Sequence, residues 1–143
     1  MLWSEDFSNS EWTKASTTPT YNVIDADGGM TAVHCAVLSQ YGSIYQLYDD
    51  LKAGDKIGVW VRSNNPTELL LAWAITSDGM YFTPTTNWEY YETVVGEGGD
   101  PTRIRIQDRA ADTTGHEFEI CFPRIINGDL PICLLYTSDA ADE

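Results

Sequence analysis

Three segments place chemistry-bearing side chains at every second position. TRIRIQD (102–108) sets Arg103, Arg105 and Gln107 against Ile104 and Ile106. KIGVWVRS (56–63) sets Gly58, Trp60 and Arg62 against Ile57, Val59 and Val61. HEFEICF (116–122) sets Glu117, Glu119 and Cys121 against Phe118, Ile120 and Phe122. A period of two is the strand period, so each segment reads as a strand with an apolar face turned in and a polar face turned out. A mixture of Trp, Arg, Gln and Glu on one outward face is costly on a bare surface and useful in a groove. Flat aromatic rings stack on apolar patches of a ligand, and planar amide, guanidinium and carboxylate groups hydrogen-bond its polar groups. The candidate ligand-binding residues are therefore Trp60, Arg62, Arg103, Arg105 and Gln107. Glu117 and Glu119 join them if the last strand shares the sheet. Tyr81, just past an Asp-Gly turn, is a candidate groove-edge aromatic. Trp60 has a second reading, burial beneath a loop.

Catalytic patterns are missing from the sequence. It has no G-x-S-x-G, no H-E-x-x-H and no P-loop. His34 and His116 are the only histidines. His34 adjoins Cys35, but strand neighbours point to opposite faces and form no local Cys-His pair. A glycosidase needs two carboxylates across a cleft, and among 22 acidic residues some pair falls close by chance. The expected protein is not an enzyme.

Positioning those side chains requires strands, and strand signals dominate. YNVIDA (21–26), TAVHCAVL (31–38), SIYQLYDD (43–50), ELLLAWAI (68–75) and WEYYETVV (88–95) complete a set of eight with the three segments above, the last of which runs on to residue 126. Turn clusters separate them, including DADGG, SNNPT, TSDGM and GEGGD. ELLLAWAI is apolar on both faces, so it is expected to be covered on both sides. Trp73 reads as core, and Trp3 and Trp12 as packing that pins the N-terminal strand. Of Trp88, Tyr90 and Tyr91, two are expected to pack. No helix of three turns shows a 3.6-residue period; the best short candidate is QLYDDLKAG. Strands recurring every 8–14 residues or so predict an all-β sandwich or barrel.

Composition bounds the partners. The chain has 143 residues, one domain's worth, with 43% hydrophobic and 12% aromatic residues, which argues against disorder. Its net charge is -14, with only 8 Lys+Arg. Such a surface repels phosphate backbones and anionic membranes, so neither nucleic-acid binding nor membrane insertion is expected. No apolar run approaches the roughly 20 residues of a membrane span. MLWSEDFSNS lacks the basic and apolar regions of a signal peptide, as a fragment or a virion protein also would. The three cysteines, Cys35, Cys121 and Cys133, are an odd number without CxxC spacing, and are expected to be free thiols.

The last eleven residues, CLLYTSDAADE (133–143), resemble the translated end of a transposon-based sequencing adapter. The expected domain is 1–132, with 133–143 a non-native tail and natural sequence continuing beyond residue 132. The tail carries three acidic residues and no Lys or Arg, so without it the charge of -14 becomes -11.

The remaining sequence resembles a jelly-roll module common in phage-tail and other virion-associated proteins. Leu2, Ser4, Glu5, Phe7 and Trp12 carry the match at the start. SIYQ (43–46), LKAGDKIGVWVRS (51–63, with Ile57 in place of the usual Tyr), WEYYETV (88–94) and FEICFPRIINGDLP (118–131) carry it further on. The wider group is similar to carbohydrate-binding modules of the family 4, 9 and 22 kind. The resemblance implies a two-sheet antiparallel jelly-roll sandwich and a non-catalytic function, binding of a poly- or oligosaccharide. It implies a setting in a phage tail or appendage, or in a secreted carbohydrate-active protein, hence extracellular or virion-associated, with further domains on a longer chain. The alternative is a structural or assembly domain of a virion with no ligand of its own. A solvent-facing Trp60 beside Arg62 and Gln107 would favour binding. A structural calcium near the first and last strands is also implied, with Glu5, Asp6, Asn9 and Asp129 as hard oxygen ligands; a solvated acidic turn is the other reading.

Overall fold

The computed structural model describes residues 6–48, 51–74, 78–97 and 102–126. Glu5, Asp129, Trp3, Cys133, the domain boundary at 132 and the adapter-like tail lie outside the described residues. Ten strands follow in order: β1 (Trp12–Ala15), β2 (Thr17–Val23), β3 (Ala32–Val37), β4 (Ser43–Leu47), β5 (Lys56–Arg62), β6 (Leu69–Ala72), β7 (Gly79–Phe82), β8 (Glu89–Val94), β9 (Arg103–Asp108) and β10 (Glu117–Ile126). They form two antiparallel five-stranded sheets, β1-β4-β9-β6-β7 and β2-β3-β10-β5-β8. This is the expected jelly-roll sandwich. The described residues contain no helix; in QLYDDLKAG, Gln46 and Leu47 end β4 and Ala53 and Gly54 form a turn, while residues 49 and 50 lie outside the described residues. No helix among the described residues is long and apolar enough to cross a membrane.

Alternation explains the core. Ile44, Ile57, Val59, Val61, Leu71, Ile104, Ile106, Phe118 and Ile120 are fully buried between the sheets. Each sits on the face that its strand's period of two assigns to the interior. Trp12 is buried and meets Phe7 at 4.9 Å between ring centroids. Phe82 stacks on Tyr91 at 4.3 Å, joining edge strand β7 of one sheet to edge strand β8 of the other. Edge strand β2 carries Pro19, which removes a donor where only one side of the strand is paired.

Two details depart from simple alternation. Phe122, expected to point inward, stands outside the core cluster at φ 50°. The register of β10 against β5 shifts between Cys121 and Arg124, so a bulge breaks the period of two there and re-aims the side chains that follow. Cys121 does face outward, opposite Trp60, yet it is fully buried. The loop between β2 and β3 reaches it: Ala26 bonds the thiol through its backbone, and burial still pushes the thiol up to about 12. Cys35 and Cys121 are both buried free thiols.

Gly79 opens β7 where it crosses Ala72 of β6. A Cβ there would run into the backbone carbonyl of Leu71, which has no room to shift. Gly79→Ala is therefore expected to lower stability by about 2 kcal/mol through overpacking. Urea unfolding checks this, and a variant as stable as the parent would mean that the β6–β7 approach is looser than described.

Candidate functional site

The strand order divides the sequence-derived residues between two surfaces. Trp60 and Arg62 on β5 and Glu119 on β10 lie on the outer face of one sheet, while Arg103, Arg105 and Gln107 on β9 lie on the outer face of the other. The single Trp/Arg/Gln/Glu face expected from alternation is thus corrected to two faces. Alternation identifies which side chains turn outward; it carries no information on which sheet a strand joins. Trp60 is partly exposed and shares its face with Arg62, but Gln107 is across the sandwich.

On the face that holds Trp60, the polar groups satisfy one another. Glu119 accepts from Arg62 Nε at 2.8 Å and meets His34 Nδ1 at 2.9 Å. The Arg62 guanidinium lies 4.7 Å over the Trp88 ring. Tyr90 lies across Gly58, where a Cβ would collide with its hydroxyl; it donates to Glu92 at 2.8 Å and stands under Arg124 at 4.4 Å. Trp60 tilts against Tyr90 at 5.7 Å. Two of Trp88, Tyr90 and Tyr91 are expected from the sequence to pack; in the structure Tyr91 packs on the core, while Trp88 and Tyr90 are each capped by an arginine instead. Trp73 also packs against the core.

The face that holds β9 is built differently. All of β9 is buried, including its outward Arg103, Arg105 and Gln107 at 5–6% exposure. Register places Tyr45 of β4 opposite Arg105 on one side, and Leu70 and Ala72 of β6 opposite Gln107 and Arg105 on the other. Tyr81 of β7 lies beyond Leu70 and is 48% exposed. The strands therefore make a buried polar floor with aromatics rising to either side. The Arg103 guanidinium lies 4.9 Å over the Tyr45 ring. Burial, with the charges of Arg103 and Arg109, holds Arg105 below the usual guanidinium range.

Arg109 extends the row. It donates from Nη1 to Gln107 Oε1 at 3.1 Å and stacks 5.0 Å over Tyr41. Its loop is anchored by fully buried Asp108, whose carboxylate meets His116 Nδ1 at 2.6 Å and accepts the Ala110 N–H at 2.9 Å. Gln40 donates to the Arg109 carbonyl at 3.0 Å. A pocket of about 320 Å³ opens at this end, lined by Thr67, Glu68, Leu70, Tyr81, Arg109 and Ala110. Tyr41, Tyr45 and Arg109 were not singled out in the sequence, although signals were there: RIRIQDR continues the period of two to Arg109, and SIYQL gives Tyr45 the phase of an outward residue.

Of the calcium candidates, Asp6 and Asn9 are described. Asp6 Oδ1 accepts the Ser8 N–H and hydroxyl, and Asn9 Oδ1 accepts the Glu11 N–H, so both cap their own turn. No cluster of three metal-ligating side chains occurs among the described residues.

No family model matches the chain, and no curated protein matches it. Solved structures do match in fold. The CBM22-1 xylan-binding domain of Xyn10C from Paenibacillus barcinonensis superposes with a TM-score of 0.63 at 11% identity, over 90% of this chain and 94% of that one. The K74A mutant of the family 29 module CBM29-2, complexed with cellohexaose, gives 0.58 at 13% identity, over 88% of each chain. The enzymatically active domain of tailspike protein 4 from bacteriophage CBA120 gives 0.54 at 16% identity, over 85% of this chain and 20% of that one. The chain thus has the two-sheet antiparallel jelly-roll fold of carbohydrate-binding modules.

Proposed function

We propose that the chain is a non-catalytic glycan-binding module, and that the sugar lies along the outer face of β9. One observation carries the choice of face: β9 presents a row of planar hydrogen-bonding groups flanked by Tyr45 and Tyr81, which are arranged to stack on sugar rings. On the Trp60 face the corresponding groups are already engaged with Glu119, Glu92 and one another. Binding of xylan and of cellohexaose by proteins of this fold supports the glycan reading and suggests β-1,4-linked chains as first ligands. The tailspike neighbour supports a place in a virion appendage; a secreted carbohydrate-active protein is the other setting.

A glycan array, followed by calorimetry of the chain and two variants, tests this. Running it with calcium and with a chelator tests the structural calcium as well. Tyr45→Ala is expected to weaken binding at least about tenfold, equivalent to ~1.4 kcal/mol, while Trp60→Ala changes it little. The reverse pattern would move the site to the other sheet. Silence of the folded protein across a broad array would instead favour a structural or assembly role in a virion.

A further inference from the structure

Three of the chain's eight Lys and Arg residues, Arg103, Arg105 and Arg109, converge on the outer face of β9 in a protein of net charge -14. With 22 acidic residues available, carboxylate partners are plentiful, and on the other sheet Arg62 has one in Glu119. Among the described residues no carboxylate lies within ion-pair distance of Arg103 or Arg109. Arg103 is 6% exposed, and its Nε is buried without a hydrogen-bond partner. A buried guanidinium with an unmet donor is expensive unless something supplies charge and acceptors. The like charges of Arg105 and Arg109 along the same row add to that cost.

We propose that this row recognises the carboxylate of a uronic-acid-bearing glycan, with Arg103 and Arg105 holding the carboxylate and Tyr45 stacking on the ring. The inference rests on the glycan-binding reading of this face and narrows its ligand to an acidic sugar. A carboxylate is favoured over a lone hydroxyl because the planar guanidinium fork matches its two coplanar oxygens. The two flanking arginines already stack on tyrosine rings, Arg103 on Tyr45 and Arg109 on Tyr41, so their forks are partly oriented before a ligand arrives. Glu68 at the pocket end beyond Arg109 opposes a second carboxylate there, which sets the polarity of the site.

The test compares two probes that share one backbone. Oligomers of β-1,4-linked glucuronic acid and cello-oligosaccharides of the same length differ only at C6. Calorimetry of the full chain is expected to show the glucuronate oligomer bound at least about tenfold more tightly. That preference should shrink as salt is added and disappear in Arg103→Gln, while Lys56→Gln, an equal charge change on the other sheet, keeps it. Arg109→Gln, judged against a thermal melt, serves if Arg103→Gln fails to fold. Equal or tighter binding of the cello-oligosaccharide would overturn the acidic-ligand inference and leave the glycan reading standing. Failure of the folded chain to bind either probe or any other glycan would overturn both. Binding of a sulfated but not a carboxylated oligomer would also overturn the proposal, since the row would then act as a general anion site.

Discussion

Phe118→Ala is expected to lower the unfolding free energy by about 4 kcal/mol, the largest single loss foreseen for this fold. Phe118 is fully buried, and among the described residues no fully buried side chain is larger. It projects inward from β10, the strand that pairs β3 on one side and β5 on the other. Its removal leaves a cavity walled by both sheets, and paired strands cannot collapse into it without losing register. The melting temperature should fall by roughly 15 °C for a chain of this length. Denaturant unfolding should show a lower midpoint with an unchanged slope. Phe118→Leu should recover much of the loss. A cost for the alanine variant below about 1.5 kcal/mol would mean that the two sheets are not tightly packed at this point.

What the sequence makes legible follows from the range of each signal. The inward phase of β5, β9 and β10 was readable because side-chain direction is fixed by the strand itself, and Ile57, Val59, Val61, Ile104, Ile106, Phe118 and Ile120 all point where alternation places them. The coverage of both faces of β6 was readable for the same reason. Strands β1 and β7 were not anticipated: each has four residues and lies at a sheet edge, too short for a periodic signal. Sheet membership was not readable either, because it is set by long-range pairing that no local pattern encodes. That is why Trp60 and Arg105 were placed on one surface and are found on two. The bulge in β10 misled at Phe122 through the same locality, since one inserted residue inverts the phase of everything after it.

The division also sharpens the electrostatic argument. On the Trp60 face, the Glu119 carboxylate of β10 sits between Arg62 of β5 and His34 of β3 and bonds both, so the Arg62 charge is met at short range. On the β9 face, the period of two sets Arg103 and Arg105 side by side, with Gln107 between Arg105 and Arg109 just past the strand. The second arrangement opposes folding through like-charge repulsion, a cost that fits the binding role proposed for this face.

Asp25→Asn is expected to cost about 3 kcal/mol at neutral pH, second only to Phe118→Ala. Asp25 lies in the loop between β2 and β3 and is 4% exposed. Its Oδ1 accepts the N–H groups of Asp27 at 2.9 Å and Gly29 at 3.0 Å; its Oδ2 accepts the Thr31 N–H at 3.1 Å and hydroxyl at 2.7 Å. The backbone closes around it, with Gly28 at φ 88° and a Gly29 Cβ position only 2.9 Å from Oδ2, so glycine is required at both. Burial pushes the carboxyl upward, but the bonds from Thr31, Asp27 and Gly29 outweigh it and hold Asp25 below its usual range. A folded-state value depressed below the unfolded one gives stability that is complete above the unfolded value of about 4 and is lost as pH falls through the folded one. The gap between parent and variant should therefore be widest near neutrality and narrow below about pH 4. It should not close, because the asparagine amide also turns a donor toward the Thr31 N–H. The loop lies against Cys121, so the variant should also expose that thiol, and its labelling rate by a thiol reagent reports loop opening independently of global unfolding. A gap constant with pH, or a Cys121 as slow to react as in the parent, would mean that the carboxylate does not hold the loop closed.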